Sequence, residues 1–170
     1  LVEQLYDERG SSTHGIQNQL WKPRDKVYSV NIWDFGGQEY YHATHRLFLS
    51  NNAVTLVLFE QDTNRQALIP TDIKLYKHGE IVEKQLPLQH FPYSYWLENL
   101  RYFGQAEAKS TLLLQSKMDK TGTKVIAIKQ AEKEKYALEE ESILQISVKA
   151  SAEGERKYQR RFEDFEDQLY

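Results

Sequence analysis

The stretch SVNIWDFGGQE, residues 29–39, joins an alternating apolar run to an abrupt polar ending. The run is typical of a β-strand and stops at Asp34, and Gly36, Gly37 and Gln38 follow closely. A carboxylate at a strand end can hold Mg²⁺ through water, and a glycine lets a backbone N–H approach a phosphate oxygen without a Cβ in the way. A glutamine beside that glycine can orient a water for attack on a phosphoryl group. The stretch therefore predicts a phosphate site, with a strand that ends in an ordinary turn as the alternative.

The composition describes a folded domain of ordinary size. The chain has 170 residues, of which 40% are hydrophobic and 28% charged, and this is enough for one domain with a substantial core. The formal net charge of -3 argues against a nucleic-acid binder, which would carry a basic stripe. The sequence has no cysteine, no signal peptide and no run near the roughly 18 apolar residues of a membrane span. We therefore expect a cytoplasmic protein with no nucleic-acid partner and no membrane span.

Predicted strands and helices alternate along the chain. The strands are predicted at residues 16–22, 26–33, 53–59, 111–115 and 143–148, and the helices at residues 1–8, 39–49, 93–103, 127–141 and 155–170. The continuous apolar run at 53–59 is typical of a central strand that is buried on both faces. Residues 61–91 contain a small predicted hairpin around His78 and Gly79. The alternation predicts an α/β fold, with a mostly parallel central sheet, helices on both faces, and ligands at the carboxyl ends of the strands.

A second strand end carries polar residues that suit a purine base. Ser116, Lys117 and Asp119 directly follow the predicted strand at 111–115. A guanine base offers two adjacent hydrogen-bond donors, its ring N1–H and its exocyclic amine, and the carboxylate of Asp119 can accept both. The alkyl stem of Lys117 can lie flat along the same base. An ordinary turn after a strand is the alternative for this motif alone.

A third strand end is weaker by itself. Ser147, Val148 and Lys149 follow the last predicted strand, where a backbone N–H could meet the carbonyl oxygen of the base. The three strand ends in this order, with Thr13 on a loop ahead of them, resemble the Ras-like small GTPases, which have the P-loop NTPase topology. Two longer stretches, STHGI at 12–16 and WDFGGQEYYHATHRLFL at 33–49, resemble the Roc domain, the GTPase module of Roco proteins, which include the leucine-rich-repeat kinases. The resemblance covers most of the chain and is weakest over residues 61–91.

The resemblance implies a role for each matched residue. Thr13 would ligate magnesium through its hydroxyl and meet the γ-phosphate with its N–H, and Asp34 would contact the same ion through water. Gly37 would contact the γ-phosphate, Gln38 would position the attacking water, and Asp119 would read the guanine. The family's activity implies a GTP- and GDP-binding switch with slow GTP hydrolysis that regulates a larger protein. It also implies an adjacent COR-type domain and a homodimer partner.

The sequence departs from the family pattern in two places. The phosphate loop, G-x-x-x-x-G-K-[ST], is absent, and residues 1–8 read like the helix that follows this loop. We expect residues 1–170 to be a Roc-type domain whose phosphate loop lies upstream of Leu1, with residues 61–91 as an insertion. Ser116 stands where the family has Asn or Thr. The alternatives are a non-hydrolysing protein-interaction domain of GTPase fold that lacks a functional phosphate loop, and an unrelated binding module with a doubly wound fold; the residues just before Leu1 would discriminate between them.

Overall fold

The computed structural model describes residues 16–22, 27–35, 53–77, 80–103 and 111–168. Three sheets are formed: β1 pairs with β2 antiparallel, β4 pairs with β5 antiparallel, and β3, β6 and β7 form a parallel sheet in the order β3-β6-β7. Four helices and one 3-10 turn accompany them in the described ranges. The elements in chain order are β1 (Ile16–Trp21), β2 (Val30–Phe35), β3 (Thr55–Phe59), β4 (Ala67–Lys77), β5 (Glu80–His90), α1 (Tyr93–Phe103), β6 (Thr111–Gln115), α2 (Gln130–Tyr136), the 3-10 turn (Glu140–Ser142), β7 (Ile143–Gln145), α3 (Val148–Ala152) and α4 (Arg156–Asp167).

Strand β6 lies in the middle of the parallel sheet, and all five of its residues are buried. Leu113 packs on one face with Val57 and with residues of α1 and α2. Leu112 and Leu114 pack on the other face against Phe162 and other apolar residues of α4. Because side chains of a strand alternate between faces, one apolar strand serves two helical layers. The predicted α/β fold with helices on both faces is confirmed.

The predicted burial of residues 53–59 on both faces is wrong. Val57 and Phe59 are buried, but Leu58 is 47% exposed. Among the described strands, β3 pairs with β6 alone, so β3 lies at the edge of this sheet. Its second face is therefore covered less completely than that of β6, which has a neighbour on each side.

Of the predicted elements that are shorter in the structure, two end where local capping ends them. β7 stops at Gln145, and Ser147 then caps α3 by accepting a hydrogen bond from the N–H of Ala150 at 3.1 Å. The helix predicted over 127–141 covers only Gln130–Tyr136, because Ala137 adopts a φ of 46° in the left-handed region. The helices predicted at 1–8 and 39–49 lie outside the described residues.

The predicted hairpin is present, with strands of 11 residues each, longer than expected. Its register places Pro70 opposite Pro87. Neither proline has an amide hydrogen, so this pair is a non-hydrogen-bonded one, and both ring nitrogens face outward. Each outer edge of the hairpin therefore lacks a donor at the fourth residue from the open end, which disfavours the addition of a further strand.

Helix α1 packs on the parallel sheet through Tyr93, Leu97 and Leu100, which are buried at helical spacing. Its first N–H donates to Asn64 Oδ1 at 2.8 Å. The hydroxyl of Tyr93 donates to Glu132 Oε1 at 3.1 Å and so connects α1 to α2. Burial, and then the hydrogen bond to Glu132, raises the pKa of Tyr93 to about 12.

We expect Tyr93→Phe to lower the free energy of unfolding at neutral pH by about 1–2 kcal/mol, because the carboxylate of Glu132 loses a donor. The folded-state pKa of about 12 lies above the ordinary tyrosine value of about 10. This contribution is therefore complete below about pH 10 and is lost between about pH 10 and pH 12. Urea unfolding across this range measures both effects. Tyr102→Phe, at a side chain that is 80% exposed, is the matched control, and wild-type stability of Tyr93→Phe would contradict the assigned bond.

Candidate functional site

The loop that follows β6 is connected to the end of β3 by Ser116. The backbone N–H of Ser116 donates to the carbonyl oxygen of Phe59 at 2.8 Å, and its Oγ donates to the same oxygen at 3.1 Å. Phe59 is the last residue of β3, so both bonds join the carboxyl ends of neighbouring parallel strands. The serine hydroxyl, shorter than the asparagine of the family pattern, thus stabilises the start of this loop against β3.

Lys117 is fixed at both ends of its side chain. Its backbone has a φ of 56°, a left-handed conformation that costs an L residue about 1–2 kcal/mol. The carbonyl oxygen of Lys117 accepts a hydrogen bond from the N–H of Lys120 at 3.1 Å, which closes the turn. At the other end, Lys117 Nζ lies 2.8 Å from Glu60 Oε2. The alkyl stem therefore runs between two fixed points.

Asp119 is held by the residue that begins the next helix. Ser147 Oγ donates a short hydrogen bond to Asp119 Oδ1 and also accepts the N–H of Ala150. Ser147 is fully buried at 1% exposure, whereas Asp119 is exposed. Because a carboxylate has about four acceptor positions, the bond to Ser147 orients Asp119 and leaves capacity for two further donors. The structure therefore joins the second and third motifs at one place.

The backbone of the same loop is fixed by Ile146, the residue after β7, and by α4. The N–H of Met118 donates to the carbonyl oxygen of Ile146 at 3.3 Å. The carbonyl oxygen of Met118 accepts a hydrogen bond from the hydroxyl of Tyr158 at 2.9 Å. Tyr158 is buried in α4, so the loop between Lys117 and Asp119 rests on the helical layer as well as on the sheet.

Gln115 organises the segment that follows the turn, and the sequence analysis did not select it. Its side chain is 2% exposed. Nε2 donates to the carbonyl oxygen of Lys124 at 2.7 Å, and Oε1 accepts the N–H of Ile126 at 2.8 Å. A glutamine inside an apolar strand was the available signal, since a buried amide needs partners.

A second set of residues that the sequence analysis did not select follows β3. Glu60, Gln61 and Asp62 all contact the segment between Lys117 and Lys124. A hydrogen bond from Lys120, and then its charge, lowers the pKa of Asp62. The available signal was their position, since polar residues at a strand's carboxyl end lie where ligands bind in this type of sheet.

Val148 and Lys149 occupy the start of α3. Val148 is the first residue of this helix, and the first N–H groups of a helix have no acceptor within it. The side chain of Lys149 instead pairs along the helix with Glu153, at 3.9 Å between Nζ and Oε1. The contact predicted for this segment, a backbone N–H at the carbonyl oxygen of the base, involves no side-chain atom of Lys149 and stays a prediction.

The phosphate-side residues are only partly described. Asp34 lies one residue before the end of β2, opposite Gln17, and its side chain is exposed. An exposed carboxylate oxygen suits Mg²⁺, which keeps most of its water and needs one or two protein oxygens beside the phosphates. Thr13, Gly37 and Gln38 lie outside the described residues. The described part of the chain holds no group of three or more potential metal ligands, and none of its helices is long and apolar enough to cross a membrane.

Three comparisons with known proteins agree on one family. The model of the family described as Roc, Ras of Complex, Roc, domain of DAPkinase, matches residues 1–119. The chain is 32% identical over 97 residues to the probable serine/threonine-protein kinase roco5 of Dictyostelium discoideum, a match that covers 55% of this chain and 3% of that protein. It is 41% identical over 49 residues to roco11 of the same organism, which covers 29% of this chain and 3% of the relative. The chain thus spans a small fraction of the curated relatives.

A solved structure extends the agreement to the fold. Methanosarcina barkeri Roco2 RocCORdC bound to GDP superposes with a TM-score of 0.56 and 26% sequence identity, over 92% of this chain and 39% of that chain. The resemblance noted from the motifs is therefore confirmed. With the family model matching residues 1–119 and the parallel sheet that carries both base-side motifs at its carboxyl edge, the chain belongs to the Roc family of Ras-like domains.

Proposed function

We propose that this chain is a GTP- and GDP-binding switch domain that hydrolyses GTP slowly and regulates a larger Roco protein. The observation that carries the proposal is the pair of motifs joined at the end of β6, where Ser147 orients Asp119 and Glu60 fixes Lys117. The similar Roco2 structure is bound to GDP, which supports a guanine nucleotide as the ligand.

Guanine recognition follows from the chemistry of this loop. The exposed carboxylate of Asp119 accepts the ring N1–H and the exocyclic amine of guanine, two donors that adenine does not present in this arrangement. The N–H of Val148, at the start of α3, is suited to the carbonyl oxygen of the base. The stem of Lys117 covers one face of the ring. Ser116 stabilises the loop from below through the carbonyl oxygen of Phe59.

The residues expected to contact the phosphates and Mg²⁺ would form the conformational switch. Asp34 and Thr13 would hold Mg²⁺, which neutralises phosphate charge when it is bound. Thr13 and Gly37 would contact the γ-phosphate with their backbone N–H groups, so the two segments are ordered in the GTP state and released after hydrolysis. Gln38 would orient the attacking water. These contacts distinguish GTP from GDP, whereas those of Asp119 do not.

The wider context of the domain is proposed on the same basis. A COR-type domain adjacent to this chain and a homodimer partner are proposed for the full-length protein, and the solved relative contains both Roc and COR regions, as its name RocCORdC states. We also propose that the domain works in the cytoplasm and in signalling. The competing function, a non-hydrolysing interaction domain of the same fold, differs in one measurable property, since it would not hydrolyse GTP.

We expect Asp119→Asn to lower the affinity for GTP by about a hundredfold, because the carboxylate that accepts two donors is lost. The same variant should gain affinity for XTP, whose 2-oxo group needs a donor that the asparagine amide provides. Competition between GTP and XTP in one sample measures the change and serves as its own control. An intact preference of Asp119→Asn for GTP would exclude this residue as the guanine reader.

We expect Gln38→Leu to bind GTP within about twofold of the wild type and to hydrolyse it about tenfold or more slowly, because a positioning group acts mainly in the transition state. Single-turnover hydrolysis at saturating magnesium in the full-length protein is the measurement. Gln85→Leu, in the exposed hairpin, is the matched control. An unchanged rate would assign water positioning to another group, and a wild type that binds GTP without hydrolysing it would favour the interaction domain.

The β4–β5 hairpin is expected to contribute to partner contact and not to nucleotide binding. Its 11-residue strands pair with each other, outside the parallel sheet that carries the base-side motifs. Replacing residues 68–88 with a short linker should leave GDP affinity within about twofold, because no residue of the loop after β6 is removed. A large loss of affinity with an unchanged circular dichroism spectrum of the remaining fold would contradict this expectation.

A further inference from the structure

Three consecutive side chains at the carboxyl end of β3 contact the loop that follows β6. Gln61 Oε1 accepts the N–H of Lys124 at 2.7 Å, and Asp62 pairs with Lys120. Glu60 Oε2 lies 2.8 Å from Nζ of Lys117. Of these three residues, only Glu60 contacts a side chain that is placed on the base, namely that of Lys117.

The carboxylate of Glu60 is better protected from solvent than that of Asp62. The Glu60 side chain is 19% exposed and that of Asp62 54%, whereas both lysines are exposed, Lys117 at 62% and Lys120 at 55%. Thr63 Oγ1 lies 3.5 Å from the other carboxylate oxygen of Glu60, at the outer limit of a hydrogen bond. Since ion pairs in full contact with water contribute little and are screened by salt, Glu60 is the member of this set able to hold a lysine in one geometry.

We propose that Glu60 is a positioning residue for the guanine nucleotide, acting through the ammonium group of Lys117. This inference rests on the proposed function. The left-handed backbone of Lys117 sets the direction in which its side chain leaves the loop, and Glu60 fixes the far end. A lysine side chain is among those with the largest rotamer freedom, so a stem that is ordered before binding loses less entropy when the base arrives.

The position of the contact between Glu60 and Lys117 predicts which binding property Glu60 leaves unchanged. The stem of Lys117 lies against the face of the base, whereas Asp119 reads its edge. Loss of Glu60 should therefore weaken GDP and GTP equally and leave the preference for guanine over xanthine unchanged. A general disturbance of the loop would alter this preference, because Ser147 and Asp119 would shift with it.

The test is GDP and GTP titration of the full-length protein by calorimetry. We expect Glu60→Gln to raise both dissociation constants about threefold to tenfold, the effect of losing the carboxylate that restricts the rotamers of Lys117. Glu140→Gln removes the pair with Lys133, away from the loop after β6, and is the matched control, expected to bind like the wild type. Lys117→Met keeps an unbranched stem without the ammonium group and should reproduce the loss.

The double variant decides whether Glu60 acts through Lys117. In the Lys117→Met background, Glu60→Gln should cause no further loss of affinity, because the partner of Glu60 is already gone. Equal losses in both backgrounds, or wild-type affinity of Glu60→Gln, would overturn the inference while leaving the proposed function in place. A wild-type protein that binds neither nucleotide would overturn the proposed function and this inference together.

Discussion

The parallel pairing of β6 between β3 and β7 is the constraint on which the rest of the structure depends. In a parallel sheet the carboxyl ends of neighbouring strands lie at the same edge, so Glu60, Ser116 and Ser147 become neighbours although they are distant in sequence. In this register Leu113 faces one helical layer, and Leu112 and Leu114 face the other. A slip of one residue would exchange the two faces of β6 and lose both helical layers, so packing and site geometry are fixed together.

The loop that follows β6 is held by hydrogen bonds from several elements. The sheet contributes the carbonyl oxygens of Phe59 and Ile146, and α4 contributes the hydroxyl of Tyr158. Buried Gln115 holds the segment beyond the turn by bonds to the backbone of Lys124 and Ile126. Each of these bonds involves a backbone group, so together they fix the path of the chain itself. The exposed side chains of Lys117 and Asp119 contact Glu60 and Ser147 respectively. If the proposed site binds guanine nucleotide, it does so with little free energy lost to ordering the loop.

Sequence reasoning succeeded where local pattern and tertiary environment agree. The bounds of α1 and β6 were predicted without error, since α1 has a clear helical spacing of apolar residues and β6 is an unbroken apolar run that ends on a polar motif. Sequence reasoning failed where the tertiary environment determines the local structure. Nothing in the residues of β3 shows that β6 is its one neighbour among the described strands, and nothing in those of α2 shows that Ala137 turns left-handed. The sequence located the hairpin by its central turn. The length of its strands could not be predicted, because they continue past Pro70 and Pro87, which pair with each other.

The sequence by itself determined the family and was enough to propose residues that read the base, because a guanine edge can be recognised by a carboxylate and a backbone N–H at strand ends. Asp119 and Val148 could thus be selected from type, order and spacing alone. Only the tertiary structure decided that Ser147 orients Asp119 and that Glu60 holds Lys117. Neither contact can be predicted from a characteristic spacing of residues in the sequence. Each exists because strands far apart in the chain pair in one register, which is selected by burial of apolar side chains on both faces of β6, since backbone hydrogen bonds are the same for any pairing.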